Sequence, residues 1–226
     1  NGGISVLDFP MGQAMEEVFG HARAGFERLA PALYLEDGPY ANVYDLATFY
    51  DNHDMRRLDA DDAGFIDAHN WLFTVRGIPV VYYGSETGFM RGRAEHGGNR
   101  AYFGQQRIDA APDSPIHRDL QRIATLRRQS PALQRGLQLN LELQGERAAF
   151  YRVYQHGDTA QTALVLLNKG DAQASMQVSQ FLQPGTWRDG FSGQALQVDQ
   201  VLAAEVPAHG VRVFLFDGAL TRPDLL

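Results

Sequence analysis

Residues 45–54 read DLATFYDNHD, an apolar and aromatic run that ends in Asp51, Asn52, His53 and Asp54. The run from Asp45 to Tyr50 is too apolar on both faces for a strand with one wet side. It predicts a strand in a covered, parallel sheet. In parallel α/β folds the C-terminal ends of the strands face the site. Polar side chains there have a physical reason, because a strand leaving the core lines a cleft with its last residues. Asp54 is a candidate catalytic or substrate-orienting carboxylate, His53 a candidate donor to a substrate hydroxyl, and Asn52 and Asp51 their braces. Two other readings stay open. One is a polar turn that only caps the strand. The other is a metal site, for which one histidine among adjacent carboxylates is a weak ligand set.

The flanking sequence supports the parallel sheet. Upstream, Ile4 to Phe9 reads as a short buried strand and Pro10 suits the first turn of a helix. Met15, Val18, Phe19, Phe26 and Leu29 have helical spacing, which predicts a helix over residues 10–29. Downstream, Asp59, Asp61 and Asp62 precede apolar residues at helical intervals from Phe65 to Val75. Arg76 and Gly77 close that helix, acid at its start and base at its end. Ile78 to Tyr83 (IPVVYY) reads as a further strand, residues 84–115 as a long loop, and Ile116 to Arg127 as a helix ended by Ser130-Pro131. Residues 1–131 thus form an α/β pattern. Beyond Gly136 the texture changes to short β runs at 139–143, 148–154, 162–168, 174–178, 195–198 and 211–216, punctuated by glycines. That spacing predicts a second, all-β unit over residues 136–226, an antiparallel β-sandwich whose residues 136–218 are expected to fold alone.

The totals exclude several classes. The chain has 226 residues, 44% hydrophobic and 21% charged, a globular composition. A net charge of −7 argues against a nucleic-acid partner. With no cysteine there is neither a disulfide framework nor a thiolate site. No run approaches the roughly 20 apolar residues that would span a membrane. The opening NGGISVLDFP has no initiator methionine, basic region or apolar leader, which reads as a fragment. Lack of cysteine leaves the compartment open; an extracellular or periplasmic location is favoured over the cytoplasm.

Tyr50-Asp51-Asn52-His53-Asp54, followed by Gly77-Ile78-Pro79-Val80-Val81-Tyr82-Tyr83-Gly84-Ser85-Glu86, resembles the alpha-amylase superfamily of retaining glycoside hydrolases, in its amylase and cyclodextrin glucanotransferase branch. The first stretch resembles the end of barrel strand seven and the second strand eight. Ser5-Val6-Leu7-Asp8-Phe9 resembles strand six, and Asn99-Arg100 the Asn-Arg pair after strand eight. The resemblance implies the last three βα units of a (β/α)8 TIM barrel, followed by a C-terminal antiparallel β-sandwich. It implies that Asp54 is the third catalytic carboxylate, that His53, Asn99 and Arg100 bind substrate, and that the substrate is an α-1,4-glucan. Asn52, Asp51, Tyr83 and Glu86 take supporting places. The family's nucleophile and acid/base lie on strands four and five, so the implied partner is an N-terminal barrel part, without which the chain is inactive. No metal or cofactor is implied on this chain; calcium is expected only of the complete protein. Where the family often has Asp-Pro before Asn-Arg, this chain has Gly97-Gly98, which obscures product specificity. The competing expectation is a non-catalytic amylase-like interaction module. Arg91, Arg93 and His96 read as solvated loop residues, His69 and Trp71 as structural, and Trp187 as a sandwich-core aromatic rather than a sugar platform.

Overall fold

The computed structural model describes residues 6–96 and 98–219. Ile4 and Ser5 of the first expected strand, Gly97, and residues 220–226 of the second expected unit lie outside the described residues. The chain first forms α1 (Phe9–Phe19), whose buried N-cap Asp8 accepts from the Met11 amide, with Pro10 in the first turn. The helix is shorter than its periodicity predicted: at Gly20 the backbone becomes extended. Phe26 and Leu29 lie instead on a separate 3₁₀ turn, Phe26–Leu29, which delivers them to the same core. A short α2 (Ala30–Leu33) follows.

β1 (Ala47–Thr48) continues into the Tyr50–Asp54 stretch. The chain then forms α3 (Asp62–Leu72), capped by the Asp61 carboxylate on the Gly64 amide, and β2 (Ile78–Pro79). β1 and β2 pair in parallel, Ala47 with Ile78 and Thr48 with Pro79, and Leu7 bridges Ala47 in parallel on the other side. The expected parallel order is present, but the ladders are shorter than the apolar runs. One face of this small sheet is buried and polar. Thr48 donates to the Asp8 carboxylate at 3.0 Å, and Arg76 pairs with Asp8 and donates to the carbonyls of Ala32 and Leu33 at 2.6 and 3.0 Å. Arg76, expected to neutralise the end of α3, is thus buried under the strands. The opposite row is open: Leu7 and Ile78 are 53% and 49% exposed, so the expected cover is not supplied by the described residues. Gly77 is required where the strand begins: its φ is +91°, and a Cβ there would sit 2.4 Å from the Thr48 hydroxyl.

The expected 84–115 loop carries α4 (Gln105–Ala110) and 3₁₀ turns at Ser85–Thr87 and Ala111–Asp113. α5 (Pro115–Gln129) is capped by Ser114. At Ser130 the chain does not simply stop; it opens α6 (Pro131–Arg135), with the Ser130 hydroxyl accepting from the Leu133 amide. The β unit contains β3 (Leu137–Gln144), β4 (Arg147–His156), β5 (Thr159–Asn168), β6 (Ala174–Val178), β7 (Gly185–Asp189), β8 (Ala195–Val198), β9 (Leu202–Val206) and β10 (Gly210–Asp217). Six strands form one antiparallel sheet in the order β3-β4-β5-β10-β7-β8, and β6 pairs with β9 as a separate ribbon. β7 and β9 had no counterpart in the sequence reading.

Strand alternation divides this sheet between two cores. Ala148, Phe150, Ala163, Val165, Leu167, Val211, Val213 and Leu215 pack into the helical half, with Met11, Trp71 and Leu126. Ala149, Tyr151, Leu164, Leu166 and Phe214 pack the other way, against Met176 and Leu202 of the ribbon. Trp187 is fully buried in this second core, its indole N–H donating to the Gln183 carbonyl at 2.8 Å. Trp71 lies in the first, its ring 5.7 Å from both Phe26 and Phe150.

Candidate functional site

The residues after β1 fold back over the residues after β2. Tyr50 is the last buried aromatic of the run, and its hydroxyl lies 2.7 Å from His69 Nε2. Burial pushes the tyrosine proton affinity up and pulls His69 down to about 3. Both groups are therefore neutral across this buried hydrogen bond, and His69 is structural. Asp51 points inward and is buried; it accepts from the Leu58 amide at 3.2 Å and from the Ser85 hydroxyl at 2.9 Å. Burial raises its pKa to about 6, against the opposing pull of those donors and of Arg57. Asn52 closes a tight turn, its side-chain oxygen accepting from the Asp54 amide at 2.8 Å.

That turn turns the next two side chains outward. The side chains of His53 and Asp54 are both 59% exposed, with His53 Nε2 3.1 Å from one carboxylate oxygen of Asp54. The other oxygen accepts from Arg100 Nη2 at 3.0 Å, and Arg100 Nε donates to the His53 carbonyl at 3.1 Å. An imidazole, a carboxylate and a guanidinium thus share one solvent-facing edge at the end of a parallel strand. Asn99, expected beside Arg100 on the substrate, is fully buried. Its amide nitrogen donates toward the carbonyls of Asn52, His53 and Met55, which clamps the turn from beneath.

Arg57 was not singled out in the sequence, yet it joins all of these segments. It is fully buried; Nη1 donates to the Tyr83 carbonyl at 2.8 Å and the Ser85 hydroxyl at 3.0 Å, while Nη2 and Nε reach the Asn99 carbonyl at 3.1 and 3.3 Å. Its guanidinium carbon lies 4.0 Å from the centre of the Tyr82 ring. Ser85 connects this cation to the Asp51 carboxylate. No local signal separates Arg57 from its neighbour Arg56, which stays at the surface on the Gly92 carbonyl and Asp59. Tyr83 supports the same loop, its hydroxyl donating to the Ala101 carbonyl at 2.8 Å. Glu86 is half-buried on the Ser85–Thr87 turn, where its charge opposes ionisation of Asp51 and Tyr50. Among the described residues, no group of three or more His, Cys, Asp or Glu side chains is placed to hold a metal ion.

The solvent-facing His53–Asp54–Arg100 edge thus lies on a parallel α/β half that adjoins an antiparallel β unit. No family model matches the chain. It is 35% identical over 138 residues to a cyclomaltodextrin glucanotransferase of Bacillus sp. (strain 38-2), covering 59% of this chain and 18% of that protein. It is 30% identical over 168 residues to an alpha-amylase of Streptomyces lividans, again covering 59% and 18%. Among solved structures, it superposes on CldA, described as the first cyclomaltodextrin glucanotransferase with a three-domain ABC distribution. The TM-score is 0.74 at 30% identity, over 96% of this chain and 45% of that one. The chain is a relative of the alpha-amylase superfamily of glycoside hydrolases and corresponds to the C-terminal region of its members. It spans 18% of the length of each of the two curated relatives.

Proposed function

We propose that this chain is part of a retaining glycoside hydrolase or transglycosylase acting on α-1,4-glucans. In this reading the segments at Leu7, β1 and β2 are strands six to eight of a (β/α)8 barrel, and the β unit is its C-terminal sandwich. The open row of Leu7, Ile78 and Val80 is then the surface that the rest of the barrel covers. The observation that carries the proposal is the placement of Asp54. It is an exposed carboxylate, braced by an imidazole and a guanidinium, on a turn fixed from below by Asn99.

Glycosidic cleavage passes through an oxocarbenium-like state, and hydrogen bonds to the ring hydroxyls strengthen as positive charge develops. Asp54 supplies that stabilisation and His53 bonds the same sugar. The nucleophile and acid/base, which must stand about 5 Å apart in a retaining enzyme, come from the N-terminal part of the barrel. Alone, the 226-residue chain turns over no glucan. Calcium, where the complete protein takes it, is held by residues outside the described ones.

Asp54→Asn in the full-length polypeptide tests the role. The substitution keeps the shape and removes the charge. The expected loss in kcat for maltooligosaccharides is about 10²–10³-fold, the size found when one transition-state-stabilising group is removed. The fold should survive, because the Arg100 pair it breaks is solvent-exposed. A variant that turns over at the wild-type rate would remove Asp54 from the catalytic role, and a wild-type polypeptide that turns over no glucan would favour the non-catalytic module instead.

A further inference from the structure

Tyr102 is 87% exposed, whereas Leu7 and Ile108, the next most exposed large apolar side chains described, reach 53%. The exposure does not come from a loose loop. Asn99 is buried under Arg57, the Ala101 carbonyl accepts from Tyr83, and the Phe103 ring packs edge-on to Phe89 at 5.0 Å. The Phe103 carbonyl accepts from Arg107 at 2.9 Å, and Gly104 turns the chain with φ +82°. Residues on both sides of Tyr102 are therefore tied to the body, while its own ring stands in solvent.

The position adds a second observation. Tyr102 is two residues from Arg100, so their Cα atoms are within about 7 Å of each other. The Arg100 guanidinium lies 3.0 Å from the Asp54 carboxylate. A flat apolar ring on a tethered segment, two residues from an arginine that pairs with a carboxylate, is complementary to a pyranose chain. The axial C–H bonds of glucose give each ring an apolar face, while its equatorial hydroxyls seek charged partners. An exposed aromatic face gains free energy when it covers such a surface.

We propose that Tyr102 is a stacking platform for a glucosyl residue of an extended α-glucan, adjoining the unit engaged by Asp54. The proposal rests on the α-glucan reading above. It assigns Tyr102 to substrate binding rather than to the chemical step, because the ring carries no charge for the reacting centre.

The test is calorimetric titration of the full-length polypeptide with maltoheptaose and with maltotriose, in an Asp54→Asn background so that sugar is bound without depending on turnover. Adding Tyr102→Ala should weaken maltoheptaose and maltotriose about tenfold each and leave Tm unchanged, while Tyr102→Phe should retain the affinity. Unchanged maltoheptaose affinity in the alanine variant would overturn the proposal. So would a fall in Tm without a change in affinity, which would mean that protein, not sugar, covers the ring. The Asp54→Asn turnover assay reads the parent proposal separately: full loss of turnover with a silent Tyr102→Ala would sink the platform alone.

Discussion

Asp54 and Arg57 lie three positions apart and do opposite kinds of work. Asp54 is displayed to solvent; Arg57 is sealed in and makes four hydrogen bonds to three residues, Tyr83, Ser85 and Asn99. Arg57→Lys places one compact ammonium where a planar fork spans the Tyr83 and Asn99 carbonyls and Ser85, leaving buried acceptors unpaired. We expect a loss of about 2–4 kcal/mol, read as a lower midpoint in urea unfolding, and reduced turnover with it because the His53–Asp54 turn loses its anchor. Asp54→Asn should move that midpoint by no more than about 1 kcal/mol. Asp54 and His53 were legible in the sequence because their polarity stands out where an apolar run stops. Arg57 was not, since a pair of adjacent arginines does not show which one points inward. Asn99 was expected on the substrate, and its place as a buried clamp was not legible, because its direction depends on a loop that no periodicity describes.

At the scale of elements, the apolar pattern reports what is buried more faithfully than how the backbone runs. Phe26 and Leu29 continued the rhythm of α1 because a 3₁₀ turn serves the same core, so a broken helix looked continuous. β9 (LAAEV) hid behind its two alanines, which have weak strand preference. β7 hid behind Gly185, whose φ of +136° marks a turn at the point where the strand begins. Elements are also tied by contacts with no sequence signature. His209, preceding β10, places Nδ1 2.7 Å from Asp67 of α3 and Nε2 2.9 Å from Asp171, which also pairs with Arg23 at 3.5 Å. The hydrogen bond to Asp67 leads in raising the His209 pKa to about 9, with Asp171 adding to it. A raised histidine stabilises the fold fully below its unfolded pKa of about 6.5, and that contribution is lost as pH rises through about 9. His209→Asn should therefore lower Tm at pH 6, and its difference from wild type should shrink by pH 10. A difference that stays constant across that range would mean that the imidazolium is not what joins these elements.

At the scale of the molecule, the division near residues 131–136 is visible in sequence texture, but the core does not respect it. One face of the six-stranded sheet belongs to the helical half. Arg152 of β4 donates to the carbonyls of Thr74 and Val75, and Arg127 of α5 to those of Phe73, Val75 and Gly77. Buried cations from both sides of that division, Arg127 before it and Arg152 after it, thus close the end of α3, a junction that periodicity cannot reveal. A fragment of residues 137–219 would uncover Phe150, Val165, Leu167, Val213 and Leu215 together. It should bind a hydrophobic dye such as ANS and melt broadly, whereas a sharp melt without dye binding would show that the second core suffices. Under the proposed barrel, the open row of Leu7, Ile78 and Val80 is the seam to the remaining strands.

The central claim is that the Asn52–Asp54 turn presents its carboxylate to an α-glucan. The most direct test is a crystal structure of the full-length polypeptide with bound maltoheptaose. The account predicts an Asp54 oxygen within hydrogen-bonding distance of ring hydroxyls on one glucosyl unit, with His53 on the same unit and Asn99 still beneath the turn. Maltoheptaose bound elsewhere, with Asp54 paired only to Arg100, would contradict it.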